Sequence, residues 1–151
     1  MAMPLDKNKA IKEFALLNKE KLSKVKVCLF DIDGVLTDAN IVWGGEEFGY
    51  LRSTNIRDGW MMKFFQRKGY KVGVISGAKE PNLTKRFVDT LKLDYVFLGN
   101  EDKREAYKKI LADGFSDEQI FFMGDEFIDL PIMKRVGFSA TVPNASFEIQ
   151  T

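Results

Sequence analysis

The chain contains no histidine. That excludes a Ser-His-Asp triad, a histidine-ligated metal and an imidazole general base. Acid–base or nucleophilic work must therefore fall to Asp, Glu, Lys, Ser, Thr, Tyr or the single cysteine, Cys28. Cys28 lies inside an apolar run and has no partner for an internal disulfide, so a reducing, cytoplasmic compartment is the expected setting. Long apolar runs are missing too. No stretch approaches about 18 apolar residues, and Met1 to Lys9 has no signal core, so a soluble protein without a membrane partner is expected. Neither sign of charge dominates: 23 Lys and Arg face 22 Asp and Glu, which leaves no basic field to attract nucleic acid.

What is present suits one globular domain over residues 1–151, with 45% hydrophobic and 13% aromatic residues. Ile11, Phe14, Ala15 and Leu17 predict an amphipathic helix over Lys9 to Lys21, within a helical extension covering residues 1–24. Val25 to Phe30 reads as a strand. Residues 39–52 read as a β-hairpin flap, with Gly44-Gly45 as its turn. Asp58-Gly59 precedes a helix closed by Gly69. Strands at Tyr70–Ile75, Tyr95–Leu98, Ile120–Met123 and Phe138–Val142 then alternate with helices at Pro81–Leu91, Asp102–Ala112 and Leu130–Val136. Apolar strands alternating with helices predict an α/β fold, a parallel sheet covered on both faces in the Rossmann manner.

Ligands in such sheets bind beyond the carboxyl ends of the strands. Those ends read Asp31-Ile32-Asp33-Gly34, Ser76-Gly77 and Gly124-Asp125-Glu126. Asp31 and Asp33 face the same side if strand geometry persists, and paired carboxylates repel unless a cation or a shared proton intervenes. Mg²⁺ takes hard oxygen ligands and joins carboxylates to phosphate, so it is the expected cofactor. Asp125 supplies another carboxylate, Lys103 a fixed positive charge for a phosphoryl transition state, and Ser76 a hydroxyl and N–H groups for phosphate oxygens. Each has a plainer reading. Asp-x-Asp-Gly serves turns and helix caps, Ser-Gly serves loops, and Lys103 among Glu101, Asp102, Arg104 and Glu105 suits a solvated helix face. Their joint order at successive strand ends favours a site.

In that order the motifs resemble those of the haloacid dehalogenase superfamily. Phe30 to Asp38 is similar to its first motif, Ser76 with Gly77 to the second, Lys103 to the third, and Gly124-Asp125 with Asp129 to the fourth, over about residues 25 to 147. Asp33 to Asp38, the hairpin insert, Asn55 to Gly59 and Gly124 to Pro131 most resemble phosphatases of 3-deoxy-D-manno-octulosonate 8-phosphate and related nine-carbon sugar-acid phosphates, which lack a large cap domain. The resemblance implies a phosphomonoesterase of lipopolysaccharide synthesis, with Asp31 as nucleophile through an aspartyl-phosphate and Asp33 as acid and then base. It implies Mg²⁺ on the Asp31 and Asp125 carboxylates and the Asp33 carbonyl, phosphate on Ser76, Gly77 and Lys103, and Asp129 orienting Lys103 or water on the ion. It also implies a homotetramer in which a neighbour helps cover the site, by way of Trp43, Phe48 and Tyr50 in the hairpin.

Two departures stand out: Ala78 and Lys79 where related enzymes often carry Arg, and Glu126 for the usual second Asp of the fourth motif. Arg57 and Lys79 are candidate contacts for a substrate carboxylate, each equally an ordinary surface charge. Two other readings compete: a binding or scaffolding protein that keeps the fold without catalysis, and a phosphorylated receiver domain, whose acceptor Asp belongs on a middle strand.

Overall fold

In the computed structural model, which describes residues 6–150, the apolar runs form a five-stranded parallel sheet. Its strands are β1 (Val27–Phe30), β4 (Lys71–Ile75), β5 (Tyr95–Phe97), β6 (Ile120–Met123) and β7 (Phe138–Ala140); β2 (Val42–Trp43) and β3 (Tyr50–Leu51) form the separate hairpin. The order is β5-β4-β1-β6-β7, with Val27 level with both Lys71 and Ile120. The chain runs outward from β1 to β5, then crosses back to β6 on the other side of β1. That reversal beside β1 is the topological switch point, where ligands bind in sheets of this kind.

Both faces are packed, which is why the strands read as continuous apolar runs. On one face Val27, Leu29, Ile120 and Phe122 meet Ala106, Tyr107 and Ile110 of α5 (Lys103–Ala112) and Ile132 of α6 (Leu130–Met133). On the other, Val72 and Val74 meet Met62 of α3 (Ile56–Arg67), Leu83 of α4 (Pro81–Thr84), and Phe87. An apolar cleft of about 780 Å³ remains on the α3 flank, between Leu22, Cys28, Phe64, Tyr70 and Phe121.

Several local expectations are corrected. The opening helix is two, α1 (Lys7–Leu17) and α2 (Lys19–Lys24), because Asn18 leaves helical geometry and its side chain donates to the Phe14 carbonyl at 2.9 Å. Neither helix buries a residue, and Leu17 is 86% exposed. Met1 to Leu5 of the expected extension, and Thr151, lie outside the described residues. The hairpin pairs Trp43 with Tyr50, their rings 5.1 Å apart, so the turn falls after Gly45 and Phe48 sits in the loop. There the Gly45 carbonyl accepts from both Phe48 and Gly49 N–H.

The third helix begins before Asp58-Gly59, because the Asn55 side chain caps it by accepting from the Arg57 N–H at 2.9 Å. The helix expected at Pro81–Leu91 turns from α to a π-helix at Lys85–Thr90. The one expected at Leu130–Val136 ends at Met133.

Candidate active site

The cluster begins where β1 stops. Asp31 lies one residue beyond the strand and is 6% exposed. Its backbone N–H still donates to the Met123 carbonyl of β6, which fixes the residue at the switch point. Asp125 lies two residues beyond β6, and Asp129 ends the single 3-10 turn Phe127–Asp129 that follows. Lys103 opens α5, whose cap is the Asp102 side chain accepting from the Arg104 N–H. This placement turns Lys103 inward instead of leaving it on a solvated face, and it is 2% exposed.

Four side chains therefore meet. Lys103 Nζ lies 2.7 Å from Asp31 Oδ1 and 2.6 Å from Asp129 Oδ1. The other oxygen of Asp129 accepts the backbone N–H groups of Asp125 and Glu126 at 3.0 and 3.2 Å. Asp129 is thus fully engaged, an anchor that holds the ammonium on one side and the Asp125 loop on the other. Glycines permit the close approach. A Cβ on Gly124 would press against the Asp129 carboxylate, and one on Gly34, at φ +91°, would overlap Asp125.

Burial pushes the Asp31 carboxyl above its usual range against the pull of Lys103, with Asp129 adding to the rise. Asp125 is raised by burial too, and by Asp129 and Glu126, against a hydrogen bond with Asp31. Asp31, Asp125 and Asp129 each offer an oxygen within 4.8 Å of the others, and Asp125 Oδ1 is buried without a hydrogen-bond partner. Fully ionised, three carboxylates against one ammonium leave two negative charges, which one divalent cation balances in place of a shared proton. With Asp129 already engaged, Asp31 and Asp125 are the groups that fit a hard cation.

The other expected residues fall into two sets. Ser76, beyond β4 and 2% exposed, accepts the Ala78 N–H at Oγ, which leaves its O–H available as a donor. Gly77 follows it in a half-buried loop. Asp33 stands apart from the acidic cluster: its Oδ1 accepts from Arg52 Nε at 2.6 Å and from Thr37 Oγ1 at 3.4 Å. Glu126 is exposed, and its backbone N–H donates to Asp129 Oδ2. Arg57, in the first turn of α3, and Lys79, whose stem packs near Gly99, are exposed, and no hydrogen bond or ion pair among the described residues ties either to the cluster. Arg52, Thr37 and Glu80 are additions that the sequence reading missed. The only signal for Arg52 was a lone cation ending an apolar hairpin arm.

No family model matches the chain. It is 33% identical over 129 residues to 3-deoxy-D-manno-octulosonate 8-phosphate phosphatase KdsC of Yersinia pestis, covering 83% of this chain and 67% of that protein. The chain spans about two thirds of the length of such curated relatives. A crystal structure of the Yersinia pestis phosphatase superposes with a TM-score of 0.81 at 30% identity, covering 87% of this chain and 70% of that one. The cobalt-bound form of the deoxy-D-mannose-octulosonate 8-phosphate phosphatase of Haemophilus influenzae gives 0.77 at 31% identity, covering 86% and 75%.

Proposed function

Because the chain belongs to the 3-deoxy-D-manno-octulosonate 8-phosphate phosphatase family of the haloacid dehalogenase superfamily, we propose that it hydrolyses the phosphate monoester of an eight- or nine-carbon keto sugar acid, with Mg²⁺ as cofactor. The observation that carries this reading is the buried Asp31–Lys103–Asp129 chain beside Asp125, at the switch point of the sheet. A structural ion pair alone explains it poorly, since burying four charged groups costs more than a well-packed apolar replacement would.

In the proposed reaction an Asp31 carboxylate oxygen attacks phosphorus in line, forming an aspartyl-phosphate as the ester P–O bond breaks. The bond pair passes to the leaving sugar oxygen, which takes a proton from Asp33. Asp33 then removes a proton from the water that attacks the phosphorus of the aspartyl-phosphate, releasing phosphate and restoring Asp31. Lys103 and the Ser76 hydroxyl hold the phosphoryl oxygens, with the Gly77 N–H beside them. The Asp31 and Asp125 carboxylates, with the Asp33 carbonyl, would hold Mg²⁺, which supplies neutralisation of phosphoryl charge. Arg57 and Lys79 are the cations proposed for the substrate carboxylate.

The same reading makes residues 1–151 a single hydrolase domain, with a helical extension before β1 and residues 39–52 as a flap. The flap supports a homotetramer: Val42 is 66% exposed, Trp43 54% and Phe48 51%, more apolar surface than a two-stranded hairpin can bury by itself. A neighbour covering these residues would also cover the site edge. For a chain of this family a cytoplasmic location is proposed, and no helix among the described residues is long and apolar enough to cross a membrane.

A panel of phosphorylated sugar acids, hexose phosphates and nucleotides, assayed with Mg²⁺, tests the reading. Sugar-acid phosphates are expected to give the highest kcat/KM, and Asp31→Asn is expected to abolish turnover while keeping the fold. Equal or better kcat/KM on hexose phosphates would remove the substrate assignment, and substantial turnover by purified Asp31→Asn would remove the covalent mechanism.

A further inference from the structure

Arg52 follows the last residue of β3, yet its side chain is only 6% exposed. Nε donates to Asp33 Oδ1 at 2.6 Å, and Nη1 donates to Glu80 Oε2 at 3.0 Å and to the Tyr50 carbonyl at 3.1 Å. One guanidinium thus joins three segments: the loop after β1, the base of the hairpin, and the residue before α4. A surface ion pair contributes little and needs no such arrangement. A buried guanidinium is tolerated only where its donors are matched, and its planar fork holds the groups it meets in fixed orientation.

The orientation of Asp33 is what this fork decides. Its Oδ1 takes both Arg52 Nε and Thr37 Oγ1, and neither reaches Oδ2. The carboxylate is pinned by one oxygen, and the other is left for proton transfer. Asp33 is otherwise far less confined than Asp31, with a side chain 34% exposed against 8%.

We propose that Arg52 is a positioning residue for the proton-transferring Asp33, anchored from behind by Glu80. The proposal rests on the phosphatase reading, in which Asp33 protonates the leaving oxygen as the P–O bond breaks. It also ties that acid to the hairpin that carries Trp43 and Tyr50.

The test uses a property of the leaving group. An alkyl oxygen needs a proton to depart, whereas a 2,4-dinitrophenolate does not, and kcat/KM reports the steps through P–O cleavage. Arg52→Met is assayed beside wild type and Asp33→Asn on a sugar-acid phosphate and on 2,4-dinitrophenyl phosphate. Loss of orientation is expected to cost about tenfold or more on the sugar-acid ester and less than about threefold on the aryl ester, the pattern also expected of Asp33→Asn. Equal losses on both esters, or a sugar-acid kcat/KM within about twofold of wild type, overturn the positioning role. Arg52→Gln, which keeps a donor and most of the side-chain volume, is read by the same two outcomes where Arg52→Met does not fold. A wild type that hydrolyses neither ester sinks the phosphatase reading and this role together. A wild type active on both, with Asp33→Asn alone showing the leaving-group pattern, removes Arg52 and leaves the reading standing.

Discussion

The strand-end cluster and the hairpin break the usual distribution of polarity in opposite senses. At the strand ends Asp31, Lys103, Asp125 and Asp129 are charged and buried, each 7% exposed or less. At the hairpin Ile41, Val42, Trp43, Phe48 and Tyr50 are apolar and open to solvent, each 43% exposed or more. Burying a charge is costly unless partners satisfy it, and exposing apolar surface forgoes about 25 cal/mol per Å². Both costs persist where something outside the domain offsets them. In the proposed reading that would be a cation and a phosphoryl group for the cluster, and another protein surface for the hairpin. Arg52, reaching from the hairpin to Asp33, ties the hairpin to the loop that follows Asp31.

The largest effect is expected at Lys103. Lys103→Met leaves Asp31 and Asp129 buried against each other without their ammonium, which in buried pairs costs about 3–5 kcal/mol. The expected outcome is loss of turnover together with a lower urea midpoint, checked by phosphate release and equilibrium unfolding. A smaller effect of the same origin follows from removing metal. EDTA is expected to abolish activity and lower the melting temperature, and Mg²⁺ to restore both. At 100 times its dissociation constant, a ligand bound only by the folded state adds about 2.7 kcal/mol. Calorimetry on the EDTA-treated protein, with and without Mg²⁺, checks this, and a melting temperature insensitive to Mg²⁺ would remove the cation from the cluster.

At the hairpin the double substitution is Trp43→Ala with Phe48→Ala. Exposed side chains contribute little to the fold of their own chain, so monomer stability is expected to change by no more than about 0.5 kcal/mol. Light scattering is expected to show smaller species, and KM for the sugar-acid ester to rise more than kcat on an aryl phosphate falls. A wild type already monomeric at micromolar concentration ends the shared-site model.

The smallest effect lies outside both regions, at Asp94. Burial opposes its charge, but hydrogen bonds from Lys71, Gln66 and the Val72 N–H outweigh it and hold its carboxyl below the usual carboxylate range. A depressed folded-state pKa contributes stability above the unfolded value, near 3.9, and loses it as pH falls through the folded value. Asp94→Asn is therefore expected to flatten a modest fall in urea midpoint below about pH 4, and to leave the activity of the strand-end cluster unchanged near neutrality.

Much of the fold was legible because strand runs and chemical residues are local signals. Ile120–Met123 matches the observed strand end for end, and the apolar runs at β1, β4, β5 and β7 differ only by a residue or two at their ends. Errors fell where one side chain outvotes periodicity: Asn18 splitting a helix, Asn55 starting one early, and Trp43–Tyr50 pairing moving a turn. The candidate residues Asp31, Ser76 and Asp125 could be named because they follow successive strand ends, Lys103 because it opens a helix in the same order, and Asp129 through the family resemblance. Their contacts could not, since Lys103 and Asp129 are 26 positions apart and meet only when α5 folds over the sheet.

By itself the sequence determined the alternation of strands and helices, the absence of imidazole chemistry, and the edge where acids and glycines collect. These follow from composition and from periods of a few residues, which any stretch of chain carries with it. Tertiary structure alone decided that Lys103 turns inward, that Asp129 is a spent anchor while Asp125 keeps a buried oxygen unpartnered, and that Arg52 leaves the hairpin to grip Asp33. The physical reason is common to all three. An ion pair's strength depends on distance and burial, and both are set by the packing of segments that are remote along the chain.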